Sequence, residues 1–590
     1  MSTTGNNVDP GLALAEPPAE PAHSDLVARL VAEAFSEISR PVRQVTALPS
    51  APAGLTASLP AAGRLPGIVP PSPAGGVPPV HPSAQPEAPK LDTAEAPRQD
   101  RAATPSSGGH AANSEDAYAF GEPRCNGNLL HSKKPESKPA SSNPLAGLGG
   151  AESVTPPEFY FLRGGDLPGK LPQPTAGQPK TATPVPSFDI EGVRRDFPAL
   201  HQYVNGKPLI WLDNAATTHK PQAVIDATSL FYSRDNSNIH RAAHTLAARS
   251  TELFESGREK VRKFLGAGDA QEIVFVRGTT EAINLVAQSY GRQNIGAGDE
   301  IIVTELEHHA NIVPWQLLAQ QTGAVLKVIP INDRGELILE EYAKLLGGRT
   351  RFVSVAHVSN SLGTINPVEQ IIALAHARGV PVLVDGAQST PHIPINVTAL
   401  DADFFVFSAH KIFGPTGIGA LYGKAALLEA MPPWQGGGHM IRDVRFEKTE
   451  YQNAPEKFEA GTPDIAGVVG LGAAIDYLFQ VGIPAIAAYE HSLLEYATQA
   501  LATIPGLRPI GTAANKASVL SFVIPGLNNQ AIAKHLDKHG IAVRAGHHCA
   551  QPAQRHFGLE STVRPSLAFY NTREEVDTLV RVLHNLRRNP

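Results

Sequence analysis

The sequence predicts an α/β protein: a large, doubly wound, mainly parallel sheet followed by a smaller α+β domain and preceded by a disordered third. Three observations carry that expectation. From Leu209 to about residue 430, short apolar runs alternate with helical stretches, the βαβ rhythm of a parallel sheet. Beyond residue 463, helical segments give way to short strands and a final amphipathic helix. Of the 52 prolines, 31 fall in residues 1–190, so the first third is a different material from the rest.

Residues 1–185 alternate Ala, Pro, Ser and Gly and cannot bury enough apolar surface to offset chain entropy, so disorder is expected. Three apolar islands interrupt this extension. Ser24–Ile38 carries Val27, Leu30, Val31, Ala34, Phe35 and Ile38 at helical spacing, with Ser24 as N-cap and Pro41 as the stop. Tyr118–Phe120 and Glu158–Arg163 are the others, the last fenced by Pro156-Pro157 and Gly164-Gly165. They read as docking motifs, or as local clusters with no partner.

Folded chain is expected from about Phe188, with a large domain over 186–435. Leu209–Leu212 reads as its first strand, running into Asp213-Asn-Ala-Ala-Thr-Thr218. Ile273–Val276 leads into Arg277-Gly-Thr-Thr-Glu281 and a helix over 282–289. Ile301–Thr304 precedes Glu307-His-His-Ala-Asn311, and Phe352–Ala356 precedes the polar stretch His357–Gly363. Val380–Val384 ends in Asp385-Gly-Ala-Gln388, and Phe404–Phe407 ends in Ser408-Ala-His-Lys411, closed by Gly414, Pro415 and Gly417. Residues 436–462 read as a hairpin or irregular excursion. The smaller domain, 463–590, holds strands at Val519–Val523 and Ile541–Val543 and a helix after Thr572.

In an open parallel sheet, ligands sit beyond the carboxyl ends of the strands. A desolvated lysine there suits Schiff-base chemistry; Ser-x-His-Lys taken alone fits an ordinary surface lysine better, and the upstream motifs overturn that. Asp385 places a carboxylate at a second strand end. Glycine and hydroxyls at the 277–281 strand-to-helix junction put backbone N–H groups against an anion, best a phosphate. An amine for an aldehyde, an acid for a pyridinium nitrogen and donors for a phosphate are together the set that pyridoxal 5'-phosphate needs. No G-x-G-x-x-G or G-x-x-x-x-G-K-[ST] motif supports a dinucleotide or triphosphate.

Cys549, in Arg544-Ala-Gly-His-His-Cys549-Ala-Gln, has basic neighbours of the kind that raise a thiol's thiolate fraction. The bland alternative is a small buried apolar residue, against which the flanking Gly-His-His and Gln551 argue. Cys125 reads as a bystander. Arg564 could clamp a carboxylate bidentately or form an ordinary ion pair. A net charge of −6 and a pI near 6.4 give no case for nucleic acid or an anionic membrane. Two cysteines exclude a disulfide framework and a Cys-cluster metal site, and no metal is expected. No apolar run reaches membrane-spanning length and no secretory signal is evident, so a soluble cytoplasmic protein is expected.

From about residue 187 onward the sequence resembles the group II, Suf-type cysteine desulfurases of the class V aminotransferase family. The resemblance runs through Leu-Asp-Asn-Ala-Ala-Thr-Thr at 212–218, Arg-Gly-Thr-Thr-Glu at 277–281, and Glu-His-His-Ala-Asn-Ile-Val-Pro-Trp at 307–315. It continues through His-Val-Ser-Asn at 357–360, Val-Asp-Gly-Ala-Gln at 384–388, Ser-Ala-His-Lys at 408–411, and Arg-Ala-Gly-His-His-Cys-Ala at 544–550. It implies the fold-type I architecture, a homodimer, and desulfuration of L-cysteine in the sulfur metabolism that feeds iron–sulfur cluster assembly. Lys411 would bind the cofactor and move protons, Asp385 would hold its ring nitrogen, His308 would stack on the ring and Gln388 would face the ring oxygen. Thr279, Thr280, Ser408 and His410 would hold the phosphate, with Thr462 reaching in from the other subunit. Asn360 and Arg564 would bind the substrate carboxylate, Arg544 and His240 would be further substrate-binding residues, and His240 and Arg241 would lie near the entrance. Cys549 would take the sulfur as a persulfide and pass it to a small acceptor protein, releasing alanine. A selenocysteine lyase, or another class V lyase or transaminase, would share most of these residues. The extension also resembles the cargo-loading segments of desulfurases packaged in encapsulin shells, which implies capture by a shell protein through residues 1–185. A plain spacer is the alternative.

Overall fold

The computed structural model describes residues 188–240 and 243–588, so the extension with its islands, Cys125 and Arg241 lie outside the described residues. Seven strands form the large sheet: β1 (Ile273–Val276), β2 (Glu300–Thr304), β3 (Val325–Ile329), β4 (Thr350–Ala356), β5 (Val382–Asp385), β6 (Phe404–Ser408) and β7 (Gly419–Gly423). Their spatial order is β1-β7-β6-β5-β4-β2-β3. The pairs from β6 through β5, β4 and β2 to β3 are parallel. β7 alone runs antiparallel, between β1 and β6. The sheet is therefore the mainly parallel, doubly wound one that the sequence predicts.

Both faces are apolar because both are covered. Ile273, Phe275, Val353, Val355, Val384, Phe405 and Phe407 enter one core; Val274, Val276, Phe352, Leu383, Phe404 and Val406 enter the other. The period-2 alternation of side chains thus distributes one continuous apolar run between two helix layers. α1 (Thr245–Leu265) lies on the first face, α2 (Thr279–Val286) follows β1 on the second, and α3 (Ile465–Val481) packs against α1. α4 (Ile483–Ala502) and α5 (Arg573–Arg588) pack on each other over a four-stranded antiparallel sheet. That sheet runs β8 (Arg508–Pro509), β9 (Phe522–Val523), β11 (Thr562–Arg564), β10 (Arg544–Gly546). Residues 441–451 form a two-stranded hairpin inside the predicted excursion. Among the described residues no single helix is long and apolar enough to cross a membrane.

Several elements differ from expectation: the strand expected over Val519–Val523 forms only at Phe522–Val523, and β3 was not anticipated. Ile210–Trp211 does not open the large sheet; it pairs in parallel with Ile541–Ala542, more than 300 residues later. The reason is packing: Ile210 and Leu212 are buried with Leu493, Phe522, Ile541 and Val563 in the core of the smaller sheet. β7 was not legible because glycine at both its ends reads as loop, yet it pairs along its whole length with β6 and β1.

The glycine at 419 is demanded by a close approach. A Cβ there would lie 2.4 Å from the Phe407 carbonyl oxygen and 2.7 Å from Gly278 Cα, both backbone atoms. Gly419→Ala is expected to destabilise the fold by about 1–3 kcal/mol, the usual cost of overpacking, and to loosen the turn after β1. Chemical denaturation measures this; an unchanged midpoint would mean that the three strands separate without cost.

Candidate active site

Three strand ends converge on one cavity. β6 hands the chain to a single 3-10 turn, Ala409–Lys411, which carries Lys411. β5 ends in Asp385. β1 ends at a turn where Gly278 takes φ +151°, a backbone open to glycine, before α2 begins at Thr279. There the Thr279 N–H donates to the Ser408 hydroxyl at 2.9 Å, and the two hydroxyls lie 2.9 Å apart. The phosphate cup is thus stitched to the end of the lysine strand.

The peptide just before Lys411 is held more tightly than its own turn requires. The carbonyl of His410 accepts from the Thr218 N–H at 3.0 Å, the Thr217 and Thr218 hydroxyls at 3.1 and 3.2 Å, and Lys220 Nζ at 3.3 Å. A carbonyl has two lone pairs, so four donors over-determine its position. The Phe413 N–H closes the clamp by donating to the Thr218 hydroxyl at 2.9 Å.

Burial sets the charge states. Desolvation lowers the Lys411 ammonium to about 8 against the opposing pull of Asp385, so a far larger share of the amine is neutral and nucleophilic near physiological pH than in a free lysine. The same desolvation raises Asp385, partly offset by the Ala387 N–H at 2.9 Å on its Oδ1. His308 is pushed down to about 3 by burial and by Lys411, so its ring is neutral, and its Nδ1 accepts from the Ala310 N–H at 3.0 Å. His410 is lowered to about 4, again by burial first.

A second group of charges faces the lysine. Arg564, 1% exposed, donates to the Asn360 carbonyl at 2.8 Å and to Asp213 at 3.0 Å. Arg544 donates to the other oxygen of Asp213 at 3.2 Å. Arg564 Nε and Asn360 Oδ1 are both buried with no hydrogen-bond partner. A buried donor and acceptor left open this way cost free energy until a ligand fills them. Cys549 follows β10 on a short loop, with φ +54° at both His548 and Cys549.

The cavity is bordered by Lys411, Asp385, Gln388, His308, Ser408 and His410. Thr279, Thr280, Asn360, Arg544, Arg564 and Cys549 border it as well. Gln388 donates to the Ala215 carbonyl at 2.6 Å. Two sequence candidates lie elsewhere. His240 does not line this cavity: its ring stacks on His439 at 4.4 Å, with Nε2 3.5 Å from Glu255. Thr462 is exposed on the loop before α3 and does not line its own chain's cavity. The sequence reading gave no role to Asp213, which joins both arginines, or to Glu307. Glu307 is fully buried, accepts from Thr304, Asn311 and the Ala356 N–H, and is raised to about 8 by burial. A carboxylate at a strand end is a signal for Asp213; its partners, more than 300 residues away, carry none.

The profile of the family described as aminotransferase class-V matches residues 210–579. The chain belongs to the class V aminotransferases. Within that family it is 62% identical over 400 residues to a cysteine desulfurase of Synechococcus elongatus, a match covering 68% of this chain and 64% of that protein. The match therefore spans less than two thirds of that relative. A probable cysteine desulfurase of Vibrio cholerae is 51% identical over 397 residues, 67% of this chain and 98% of the relative. The crystal structure of the Escherichia coli cysteine desulfurase CsdA, in its S-sulfonic acid form, superposes with a TM-score of 0.64 at 44% identity, covering 68% of this chain and 99% of that one.

The cofactor of this class V aminotransferase is pyridoxal 5'-phosphate, and the residues present fit it. The Gly278–Thr280 turn with Ser408 forms a cradle that a Cβ would invade, since one built on Gly278 lies 3.0 Å from the Ser408 hydroxyl. A buried carboxyl, a neutral imidazole and a desolvated amine complete the donor set. Lys411→Ala is expected to abolish both the absorbance band at the visible edge and the borohydride-fixed attachment of cofactor to protein. A borohydride-reducible adduct persisting in that variant would remove Lys411 from the role.

Proposed function

We propose that this chain is a pyridoxal-phosphate-dependent L-cysteine desulfurase of the Suf type, acting as a homodimer and passing sulfur from Cys549 to a small acceptor protein. The observation that carries the reading is that Cys549 borders the same cavity as Lys411 and Asp385. A transaminase or simple lyase would leave that thiol without a task. The names of the relatives support the reaction, and the short loop between β10 and Gln551 supports the group II assignment.

Lys411, Asp385 and His308 would hold the cofactor ring, and Thr279, Thr280, Ser408 and His410 its phosphate, with Thr462 of each chain serving the other subunit. When bound, the cofactor supplies an electron-withdrawing ring that stabilises negative charge at the substrate α-carbon. Arg564 Nε and Asn360 Oδ1 offer the open hydrogen-bonding positions at which a substrate carboxylate and ammonium can be oriented. Lys411, whose ammonium is lowered to about 8 by burial and so gives up its proton readily, takes and returns the α-proton. The Cys549 sulfur attacks the substrate sulfur as the carbon–sulfur bond breaks. The bonding pair stays with carbon, which takes up a proton and leaves as alanine, and the new sulfur–sulfur bond is the persulfide. No external oxidant or reductant is required.

Cys549→Ala is expected to keep the cofactor spectrum and its response to L-cysteine while alanine production falls to background, because cofactor binding rests on Lys411 and sulfur removal on the thiol. Incubation of the purified wild type with L-cysteine and with L-selenocysteine, reading alanine and sulfide or selenide, decides between desulfurase and selenocysteine lyase. Undiminished alanine release by the variant would make Cys549 structural.

We further infer that residues 1–185 deliver the enzyme into an encapsulin-type protein shell, which would be its location inside the cytoplasm. The support is compositional: a long proline-rich chain with spaced apolar islands can cross a large surface and engage several copies of one partner. The Synechococcus relative also carries sequence beyond the matched region. Co-expression with a candidate shell protein should package the full chain and residues 1–185 fused to a fluorescent protein, but not an enzyme starting near Pro186. Equal packaging of the truncated enzyme would overturn the inference.

A further inference from the structure

The thiol has two imidazole neighbours with no part in holding the cofactor. His309, His547 and Cys549 each offer one ligand atom, and the three atoms lie within 4.8 Å of one another. They come from two loops fastened together by backbone. The His309 N–H donates to the Cys549 carbonyl at 2.8 Å, and the Gln551 N–H reaches His309 Nε2 at 3.4 Å. The Cys549 N–H in turn donates to His547 Nδ1 at 3.0 Å. The two rings lie nearly parallel, with centroids 5.6 Å apart and planes 26° from one another. His547 is exposed and the other two are half-buried, so an ion can enter from solvent.

Two imidazoles and one thiolate are a ligand set for a tetrahedral, thiophilic divalent cation. With zinc–nitrogen and zinc–sulfur bonds of about 2.0–2.3 Å, ligand atoms in such a site stand roughly 3.5 Å apart. Closing the present spacing to that value takes about an ångström of movement, within reach of the exposed His547 side chain once it releases the Cys549 amide. Three protein ligands leave a fourth position open to water or to an incoming thiol. Arg544, on the strand leading into the loop, is paired with Asp213.

We propose that His309, His547 and Cys549 form a binding site for one divalent cation of the zinc class, and that filling it silences the thiol. On binding, the thiol proton passes to solvent and the sulfur becomes a ligand, so it is no longer free to attack. The silencing rests on the role assigned to Cys549 above; the binding does not. The open fourth position makes the block reversible by small thiols, which compete for the ion.

The test uses the holoenzyme and cobalt(II), whose visible d–d bands fall clear of the cofactor, followed by displacement with zinc. One equivalent of cobalt per chain should give intense tetrahedral bands, and the ion should protect Cys549 from alkylation by iodoacetamide. Cys549→Ser should lose the thiolate-ligated spectrum, while His309→Ala and His547→Ala should each weaken binding at least about tenfold, as loss of a ligand requires. His547 is exposed, so its variant reports on binding without disturbing the core. Equal affinity and equal protection in both histidine variants would reduce the effect to capture by a lone thiol and overturn the site. Weak octahedral bands, or binding below one equivalent, would overturn it too. Stoichiometric cobalt binding by an enzyme that fails to turn over L-cysteine even when metal-free would sink the desulfurase reading alone, and metal-free turnover without stoichiometric binding would sink the metal site alone.

Discussion

The site depends on one carbonyl. His410 C=O, the peptide oxygen immediately before Lys411, is gripped by the backbone and hydroxyls of the 217–220 segment. That segment follows the short strand Ile210–Trp211, which pairs with Ile541–Ala542 in the C-terminal part of the chain. Asn214 donates to the Ser566 carbonyl at 2.7 Å and to Asn571 at 3.0 Å, and Gln388 reaches back to Ala215. A stretch of eight residues thereby joins the end of β6, the turn after β5 and the strand that carries Arg564. The lysine, the acid and the arginine come from sequence positions far apart, yet their backbones share a common set of hydrogen bonds.

Desolvation is the second constraint, and it pushes Lys411, His308 and Asp385 in the cavity, and the buried Glu307, in the same sense: toward neutrality. Lys411 and His308 are lowered, and Asp385 and Glu307 are raised, each with burial as the leading cause. Opposing charges moderate this for Lys411 and Asp385, which stabilise one another. Glu307 has no cation beside it and instead takes three hydrogen bonds, so at neutral pH a proton satisfies it and spares Asp385 a second buried charge.

How much of this was readable without coordinates follows from the range of the interactions. Buried parallel strands announce themselves as apolar runs ending in polar residues, so β1, β2, β4, β5 and β6 and the residues at their ends were legible, Lys411 and Asp385 among them. β7 was hidden because its glycines are there for backbone approach, which composition cannot distinguish from a turn. Ile210–Trp211 was legible as a strand but not as to its sheet, since pairing with Ile541 is set by a core whose members lie hundreds of residues apart. The same holds for Asp213 with Arg564 and for His309 with Cys549. A charge or ligand appears in a sequence, but its partner does not.

The loop that carries Cys549 shows what the fold does with that freedom. His548 and Cys549 both sit at φ +54°, a region costing non-glycine residues of order 1–3 kcal/mol each. The loop holds this shape through three bonds from outside itself: Asn360 Nδ2 to the His548 carbonyl at 2.6 Å, His309 N–H to the Cys549 carbonyl, and His548 Nε2 with the Thr562 hydroxyl at 2.8 Å. Each anchor lies on a different element: the loop after β4, the turn after β2, and β11. Asn360, one of those anchors, is also the residue whose Oδ1 waits unpaired in the cavity. The side chain that borders the cavity is thus the same one that holds the cysteine loop.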